Sequence, residues 1–184
     1  MRAVVRALLL VVLAAVLVAA IAVVVRTTLA GDGPGPLGSG GSGDGPGDAG
    51  VVTRVVDGDT LDVRYDGREH RVRLLNVDAP ESVRPDHPVE CLGPEAAAFL
   101  GELTPVGSEV RLEFDVERQD RFGRELAAVY AGDVLVNAEL ARAGLGTVVL
   151  FEPNDRYYDD VADAEREARR AGVGLHAQDP CAGG

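Results

Sequence analysis

Two Asp-Gly pairs divide the stretch of residues 51–75 into three short runs of mostly β-type residues. The pairs are Asp57-Gly58 and Asp66-Gly67, and the runs cover residues 51–56, 61–65 and 71–75. Asp-Gly between such runs is a hairpin signal, because both residues tolerate the positive φ angles of a tight turn. The pattern predicts a three-stranded meander, in which the start of the second strand and the end of the third meet at one end of the sheet.

The chain after residue 75 continues with both strand and helix patterns. A further strand and a hairpin around Gly132-Asp133 add β-structure, and three segments of helical pattern follow or separate them. The predicted strands cover residues 109–114, 126–130 and 134–136, and the predicted helices cover 92–103, 138–143 and 157–171. This order predicts a mainly β domain, a five-stranded β-barrel flanked by about three α-helices.

The first 50 residues lack this patterning and form two segments. Residues 1–30 contain an unbroken apolar run from Ala7 to Val25, long enough to cross a bilayer as a helix. We expect a signal anchor in the membrane, with a cleaved signal peptide as the alternative. Residues 31–50 are mostly Gly, Pro, Ser and Asp, which predicts a flexible linker. The domain of residues 51–184 is then expected outside the cytoplasm, tethered to the cell membrane or secreted.

The charge balance argues against a generally basic, nucleic-acid-binding surface. The 184 residues include 30 acidic and 18 basic ones, for a net charge of -12, and the sequence contains no Lys. An acidic surface repels polyanions at low salt. Two interpretations leave room for a nucleic-acid function. The acidity is an adaptation to high salt, where screening is strong, or a local basic site lies within an acidic surface.

Three carboxylates are candidates for a metal site where the predicted strands meet. Asp59 follows the first Asp-Gly turn, and Asp78 and Glu81 follow the third strand. Close carboxylates repel each other unless a proton or cation lies between them, and their oxygens are the ligands that Ca²⁺ prefers. The alternative is that these are ordinary turn residues in an acidic chain, and spacing alone does not separate the two.

Two arginines are candidates for contact with phosphate. Arg73 lies within the third predicted strand, and Arg124 ends the segment of residues 120–124. A guanidinium is a rigid fork of donors that matches phosphate oxygens, and a pair beside a metal would neutralise the charge that builds up during attack on phosphorus. Alternatively, Arg73 pairs with an acidic neighbour and Arg124 is a solvated loop residue.

Six short blocks follow one another at compatible spacing. They are Asp57-Gly58-Asp59-Thr60, Arg73-Leu74-Leu75-Asn76-Val77-Asp78-Ala79-Pro80-Glu81, Gly93-Pro94-Glu95-Ala96, Asp120-Arg121-Phe122-Gly123-Arg124, Val136-Asn137-Ala138-Glu139-Leu140 with Ala143-Gly144-Leu145, and Ala171-Gly172-Val173-Gly174-Leu175. Each block is weak evidence, but together they resemble the ordered motifs of the staphylococcal nuclease (thermonuclease) family. The resemblance implies an OB-fold barrel and calcium-dependent hydrolysis of DNA and RNA phosphodiester bonds that leaves 3′-phosphate ends.

The resemblance also implies a role for each matching residue. Asp59 and Asp78 correspond to the calcium ligands. Arg73 and Arg124 correspond to the catalytic arginines that bind the phosphate. Glu81 corresponds to the catalytic residue that positions or deprotonates the attacking water.

The nucleotide-binding positions depart from the family pattern. The family's Lys-Tyr before Gly-Arg is here Arg121-Phe122, which keeps the charge and loses a hydroxyl. The aromatic positions near the nucleotide are here Val149 and Phe151. We therefore expect Arg121 and Phe151 to bind the nucleotide, with base stacking at Phe151 alone.

The chain has two cysteines, Cys91 before the first predicted helix and Cys181 near the C-terminus. Two free surface thiols would be a liability in an exported protein, so we expect a disulfide that ties the tail to the domain.

The candidate residues favour an enzyme over two other classes of protein. An inactivated domain of this type would bind nucleic acid or a protein without cleavage, and a calcium-binding structural domain would give no reason for the two arginines. The two metal carboxylates, Glu81 and both arginines are all present. We expect an endonuclease with DNA and RNA as substrates, acting as a monomer with no obligate protein partner.

Overall fold

The computed structural model of the protein describes residues 47–82 and 88–181. The predicted signal anchor at residues 1–30 and most of the predicted linker at residues 31–50 lie outside the described residues. Within the described ranges, no helix is long and apolar enough to cross a membrane.

A closed five-stranded barrel is the centre of the described domain. The strands of this domain are β1 (Asp48–Asp57), β2 (Thr60–Tyr65), β3 (Arg68–Leu74), β4 (Val77–Asp78), β5 (Glu109–Gln119), β6 (Glu125–Ala131), β7 (Val134–Leu135) and β8 (Thr147–Val148). The barrel follows the order β3-β2-β1-β5-β6 with antiparallel neighbours. A parallel pairing of β3 with β6 closes it, with Arg73 opposite Leu126. The short strands β4 and β8 form a separate ladder beside the barrel.

In the described part of the chain, three α-helices pack against the barrel. They are α1 (Gly93–Leu103), α2 (Val136–Arg142) and α3 (Tyr158–Ala171), and a short 3-10 helix follows at Gly174–His176. Pro94 lies near the start of α1, where the missing N–H costs nothing. The buried side of α3 carries Val161, Ala164 and Ala168, at the spacing of one helical face. The helix ends at Gly172, whose left-handed conformation suits glycine.

The core lies between the barrel interior and these helices. Leu100 of α1, Leu140 of α2 and Val161 of α3 are fully buried in one cluster with strand residues such as Leu61 and Val63. Each such side chain contributes about 1.5–3 kcal/mol by leaving water. The helices are thus fixed to the barrel by apolar packing, which gives the adjoining loops a rigid support.

The structure confirms the predicted barrel with three helices and an OB-fold arrangement. Several boundaries differ from the sequence pattern, including those of β1, β5 and α2. β1 begins at Asp48, within the predicted linker, because this end pairs with β5. β5 continues to Gln119, beyond the alternating run that ended at Phe114. Val136 begins α2 and does not end a strand.

Candidate active site

Asp59 lies just before β2, in a turn that packs tightly against its surroundings. Gly58 has no space for a side chain, since a Cβ would lie 2.7 Å from the Ala96 Cβ and 2.8 Å from the Ala79 Cβ. The Asp59 carboxylate accepts hydrogen bonds from the Ala79 N–H at 2.9 Å and the Thr60 hydroxyl at 3.0 Å. These contacts hold a largely buried carboxylate in one position.

Arg73 of β3 connects Asp59 to Asp78. One terminal nitrogen of its buried guanidinium lies 2.9 Å from Asp59 Oδ2 and 2.7 Å from Asp78 Oδ1. The other donates hydrogen bonds to the carbonyls of Leu74 at 2.8 Å and Val77 at 2.6 Å. The arginine therefore compensates the buried charge of Asp59 and fixes the chain that carries Asp78.

Asp78 lies beside Arg73 because the chain makes a turn at residues 75–76, directly after β3. Asn76 adopts a left-handed conformation with φ 58°, which Asn tolerates better than most residues. Its buried side chain donates hydrogen bonds to the carbonyls of Val149 at 3.2 Å and Asn154 at 2.9 Å. The side chain of Asp78 is 64% exposed, whereas that of Asp59 is 9% exposed. One carboxylate of the pair is therefore buried and fixed, and the other is open to solvent.

The electrostatic environment of Asp59 favours a nearby cation. Burial raises the pKa of Asp59 from its ordinary value of 3.8 to about 6, although Arg73 lowers it. The Asp57 carboxylate raises this pKa further, and hydrogen bonds from Ala79 and Thr60 lower it. A positive ion beside the carboxylate would oppose the effect of burial on its charged form.

These residues line a cleft of about 360 Å³. The lining residues are Asp57, Asp59, Arg73, Asp78, Ala79, Pro80, Glu81, Glu90, Arg124, Val149 and Phe151. The structure thus brings together all five residues predicted for metal binding and catalysis, along with one of the two predicted for nucleotide binding.

Arg124 is presented by the turn between β5 and β6. The Asp120 carboxylate accepts hydrogen bonds from the backbone N–H groups of Phe122 and Arg124, both at 2.9 Å, and from Arg124 Nε at 2.7 Å. Gly123 has a positive φ of 78°, which closes the turn. Burial raises the pKa of Asp120, but the hydrogen bonds outweigh it and the net shift is downward. Asp120 therefore stays ionised and holds Arg124 in place.

The two predicted nucleotide-binding residues differ in placement. Phe151 lines the cleft, with its ring centre 5.4 Å from the guanidinium carbon of Arg73. Arg121 is exposed and is not among the described residues that line the cleft. Its guanidinium lies 4.8 Å from the ring centre of Phe122, which is 70% exposed. The exposed ring of Phe122, two residues before Arg124 in the chain, therefore lies between the guanidinium groups of Arg121 and Arg124.

Cys91 and Cys181 form a disulfide with their Cα atoms 5.9 Å apart. Cys91 lies two residues before α1 and directly follows Glu90, which lines the cleft. The bond therefore attaches the C-terminal tail to the edge of the site.

Three acidic residues of the site were not predicted. Asp57 and Glu90 line the cleft, and Asp120 orients Arg124. Asp120 had a local signal, since Asp at the start of a turn commonly accepts hydrogen bonds from the N–H groups that follow. The Asp57-Gly58 pair indicates only a turn at Asp57. No sequence pattern indicated Glu90, because its contact with Glu81 arises only in the folded chain.

The fold and the cleft together define a class of protein. Carboxylates that can take a hard cation lie beside guanidinium groups that match phosphate oxygens, at the side of a small OB-fold barrel. Such a protein is built to act on phosphate esters.

Known proteins resemble this chain closely enough to name its family. Residues 71–178 match the model of the staphylococcal nuclease homologues. The chain is 41% identical over 156 residues to a thermonuclease of Staphylococcus intermedius, which covers 84% of this chain and 91% of the relative. It is 40% identical over 120 residues to a thermonuclease of Staphylococcus hyicus, and the match covers 65% of this chain and 70% of that relative. It is 40% identical over 121 residues to the endonuclease YncB of Bacillus subtilis, and the match covers 65% of this chain and 57% of that relative.

The protein belongs to the staphylococcal nuclease family, as its ordered motifs predicted. It is a nuclease, an enzyme that hydrolyses phosphodiester bonds.

Proposed function

We propose that the protein is a calcium-dependent endonuclease that hydrolyses DNA and RNA outside the cytoplasm and leaves 3′-phosphate ends. One observation carries the proposal. The Arg73 guanidinium joins Asp59 and Asp78 within a cleft that Glu81 and Arg124 also line. The cleft therefore combines oxygen ligands for a hard cation with cationic groups for a phosphate.

Asp59 and Asp78 are the residues that would hold Ca²⁺. Their carboxylates contact the same guanidinium nitrogen, and both are hard-oxygen donors. The described residues contain no group of three or more His, Cys, Asp or Glu side chains placed to hold a metal. Two carboxylates completed by backbone carbonyls and waters form a ligand set that Ca²⁺ accepts. Bound calcium would polarise the phosphate and neutralise the charge that develops on it.

The remaining residues of the cleft would bind the phosphate and activate water. Arg73 and Arg124 would donate to the non-bridging phosphate oxygens and stabilise negative charge during in-line attack. Glu81 would position or deprotonate the attacking water. Departure of the 5′ oxygen would then leave the phosphate on the 3′ oxygen of the preceding nucleotide.

Binding of the nucleotide would rest on aromatic and cationic side chains at the rim of the cleft. Phe151 lines the cleft beside Arg73 and is partly exposed, and its ring would stack on a base. Arg121 would contribute charge from outside the cleft. Base stacking on an aromatic ring tolerates any base and needs no 2′-hydroxyl, which suits an enzyme that accepts both DNA and RNA.

We place the nuclease domain outside the cytoplasm. In the chain it follows the apolar segment of residues 1–30 and the linker of residues 31–50. The length and uniform apolarity of the run from Ala7 to Val25 support this placement. The disulfide between Cys91 and Cys181 is also of a kind that persists in oxidising compartments. Cell fractionation with N-terminal sequencing of the mature chain tests it, and recovery in the cytosol with an intact N-terminus would refute it.

The catalytic proposal is tested by incubating the full chain with single-stranded and duplex DNA and with RNA, in calcium or in chelator. We expect cleavage with calcium, 3′-phosphate ends and loss of cleavage in chelator. Glu81→Gln and Arg124→Ala should each lower kcat by at least about 100-fold while the thermal unfolding midpoint is retained. Calcium binding without cleavage of any substrate would instead identify a structural calcium site.

A further inference from the structure

Glu90 lies against the backbone of Glu81 and contacts it on both sides. The Glu81 N–H donates a hydrogen bond to Glu90 Oε2 at 3.0 Å. The Glu90 N–H donates in return to the Glu81 carbonyl at 2.8 Å. Because one bond fixes the peptide before the Glu81 Cα and the other fixes the peptide after it, the pair sets the direction of the Glu81 side chain.

Glu90 is itself anchored to the start of α1. Its carbonyl accepts a hydrogen bond from the Gly93 N–H at 3.0 Å. Gly93 also allows Glu81 to approach the helix, since a Cβ there would lie only 2.6 Å from the Glu81 carbonyl oxygen. The next residue, Cys91, is held by its disulfide to Cys181. The Glu90 side chain therefore extends from a well-supported piece of backbone.

The charge of Glu90 does not favour substrate binding. Among the described residues that line the cleft, it is one of five acidic ones, against the two arginines Arg73 and Arg124. Each additional carboxylate repels a phosphodiester backbone. A role in geometry, as an acceptor for the Glu81 N–H, accounts for its presence.

We infer that Glu90 is a positioning residue, whose carboxylate holds the Glu81 backbone so that the Glu81 side chain meets the attacking water. The inference rests on the proposed role of Glu81. A displacement of about 1 Å in a reacting geometry can lower a rate by about 100-fold. The effect is therefore expected in kcat and not in the affinity for nucleic acid.

Two substitutions separate the geometry of Glu90 from its charge. Glu90→Gln removes the charge and keeps an acceptor oxygen at the same reach, whereas Glu90→Asp keeps the charge and withdraws the acceptor. We expect Glu90→Gln to retain kcat within about threefold, and Glu90→Asp and Glu90→Ala to lower it about 10–100-fold with little change in KM. Glu102→Ala, an exposed glutamate at the far end of α1, is the matched control and should resemble the wild type.

Other patterns of kinetics would overturn the inference. An equal fall in KM for Glu90→Gln and Glu90→Ala, with kcat unchanged, would assign Glu90 a purely electrostatic effect on substrate. A loss of calcium affinity in both variants would make it a metal ligand. In a Glu81→Gln background, Glu90→Asp should cause no further loss of kcat, and an undiminished loss there would show that Glu90 does not act through Glu81.

Hydrogen exchange of the Glu81 amide supplies a readout that is independent of catalysis. We expect faster exchange at this N–H in Glu90→Asp and Glu90→Ala and near-wild-type exchange in Glu90→Gln, in chelator as well as in calcium. Unchanged exchange in Glu90→Asp would overturn the positioning role even in an active enzyme. Absence of cleavage by the wild-type chain would overturn the proposed function, and the exchange measurement would still decide whether Glu90 holds Glu81.

Discussion

The two arginines of the cleft carry the same charge in very different surroundings. Arg73 is buried and compensates the buried carboxylate of Asp59, while it also satisfies two backbone carbonyls. Arg124 is 32% exposed and is paired with Asp120, which lies in the same turn. Removal of Arg73 leaves a buried charge without its partner, whereas removal of Arg124 leaves Asp120 accessible to water.

We therefore predict that Arg73→Ala lowers the free energy of unfolding by about 3 kcal/mol in chelator, because one member of a buried pair is lost. Arg124→Ala should cost at most about 1 kcal/mol. Calcium should restore part of the stability of Arg73→Ala, since a cation can compensate Asp59. Urea unfolding of both variants with and without calcium checks this. Equal, small losses of unfolding free energy in the two variants would show that the buried charge of Asp59 does not need Arg73 for compensation.

A second prediction concerns Asp62, outside the cleft. Its carboxylate accepts hydrogen bonds from Arg71 Nε at 2.9 Å and Arg54 Nε at 2.8 Å. Burial raises the pKa of Asp62, but the two arginines outweigh it and the net shift is downward. Since the folded pKa lies below the unfolded one, the stabilisation is present above pH 3.8 and is lost as the pH falls through the folded pKa.

Asp62→Asn should therefore lower the free energy of unfolding by about 1–2 kcal/mol at neutral pH, and the difference from wild type should shrink below the unfolded pKa. Urea unfolding of both proteins across the acidic range measures this. Asp66→Asn, at an exposed hairpin, is the control with little expected effect. A difference that stays constant down to the lowest pH would show that the charge of Asp62 is not the source of the stability.

Among the structural elements, the parallel pairing of β3 with β6 does most to assemble the site. It places the strand of Arg73 beside the strand that follows Arg124. Asn137 of α2 reinforces the junction, as its side chain accepts from the Val129 N–H and donates to the Leu75 carbonyl. α2, β6 and the chain beyond β3 are thereby fixed to one another.

The disulfide should make a large contribution to the free energy of unfolding of the domain. Cys91 and Cys181 are 90 residues apart, so the bond strongly restricts the unfolded chain. A loop of this length corresponds to about 4.6 kcal/mol of stability in the chain-entropy description. We predict a comparable loss in the double variant Cys91→Ser, Cys181→Ser, measured by urea unfolding.

Reductant provides the matched control for this prediction. It should lower the stability of the wild-type protein toward that of the double variant and leave the variant unchanged. A wild-type protein that is insensitive to reductant under unfolding conditions would show that the bond does not form in solution.

The protein as a whole carries a net charge of -12 and yet belongs to a family of nucleases. The arginines of the cleft act over a few ångströms, whereas the repulsion from the acidic surface acts over the Debye length, about 30 Å at 10 mM salt and 10 Å at 0.1 M. Moderate salt therefore screens the repulsion before it weakens contacts in the cleft.

We predict that kcat/KM for long DNA rises between about 10 mM and 100 mM NaCl at fixed calcium, and falls only at higher salt. A dinucleotide substrate, which carries little charge, should show a much weaker rise. Steady-state kinetics over a salt series measure both. A continuous decline for long DNA from the lowest salt would show that local attraction at the arginines governs association.

Much of the domain was predictable because its signals are local. The Asp-Gly turns, the alternating strands and the amphipathic α3 each depend on neighbours within a few residues. The barrel and its three helices followed from the order of these elements, and the family followed from the resemblance of the six sequence blocks. The end of β5 was missed because its last residues are mostly polar and exposed, so they lack the alternation that marks a buried strand.

Some properties of the candidate site could likewise be predicted from local sequence, and others depend on the tertiary structure. Asp59, Arg73, Asp78, Glu81 and Arg124 could be proposed from residue type, spacing and motif order, since chemistry restricts which side chains can serve those roles. Their convergence on one cleft, the burial of Arg73 and Asp59, and the contact of Glu90 with Glu81 arise only when the barrel closes. Burial and electrostatic coupling depend on residues distant in the chain, and no local pattern records those distances.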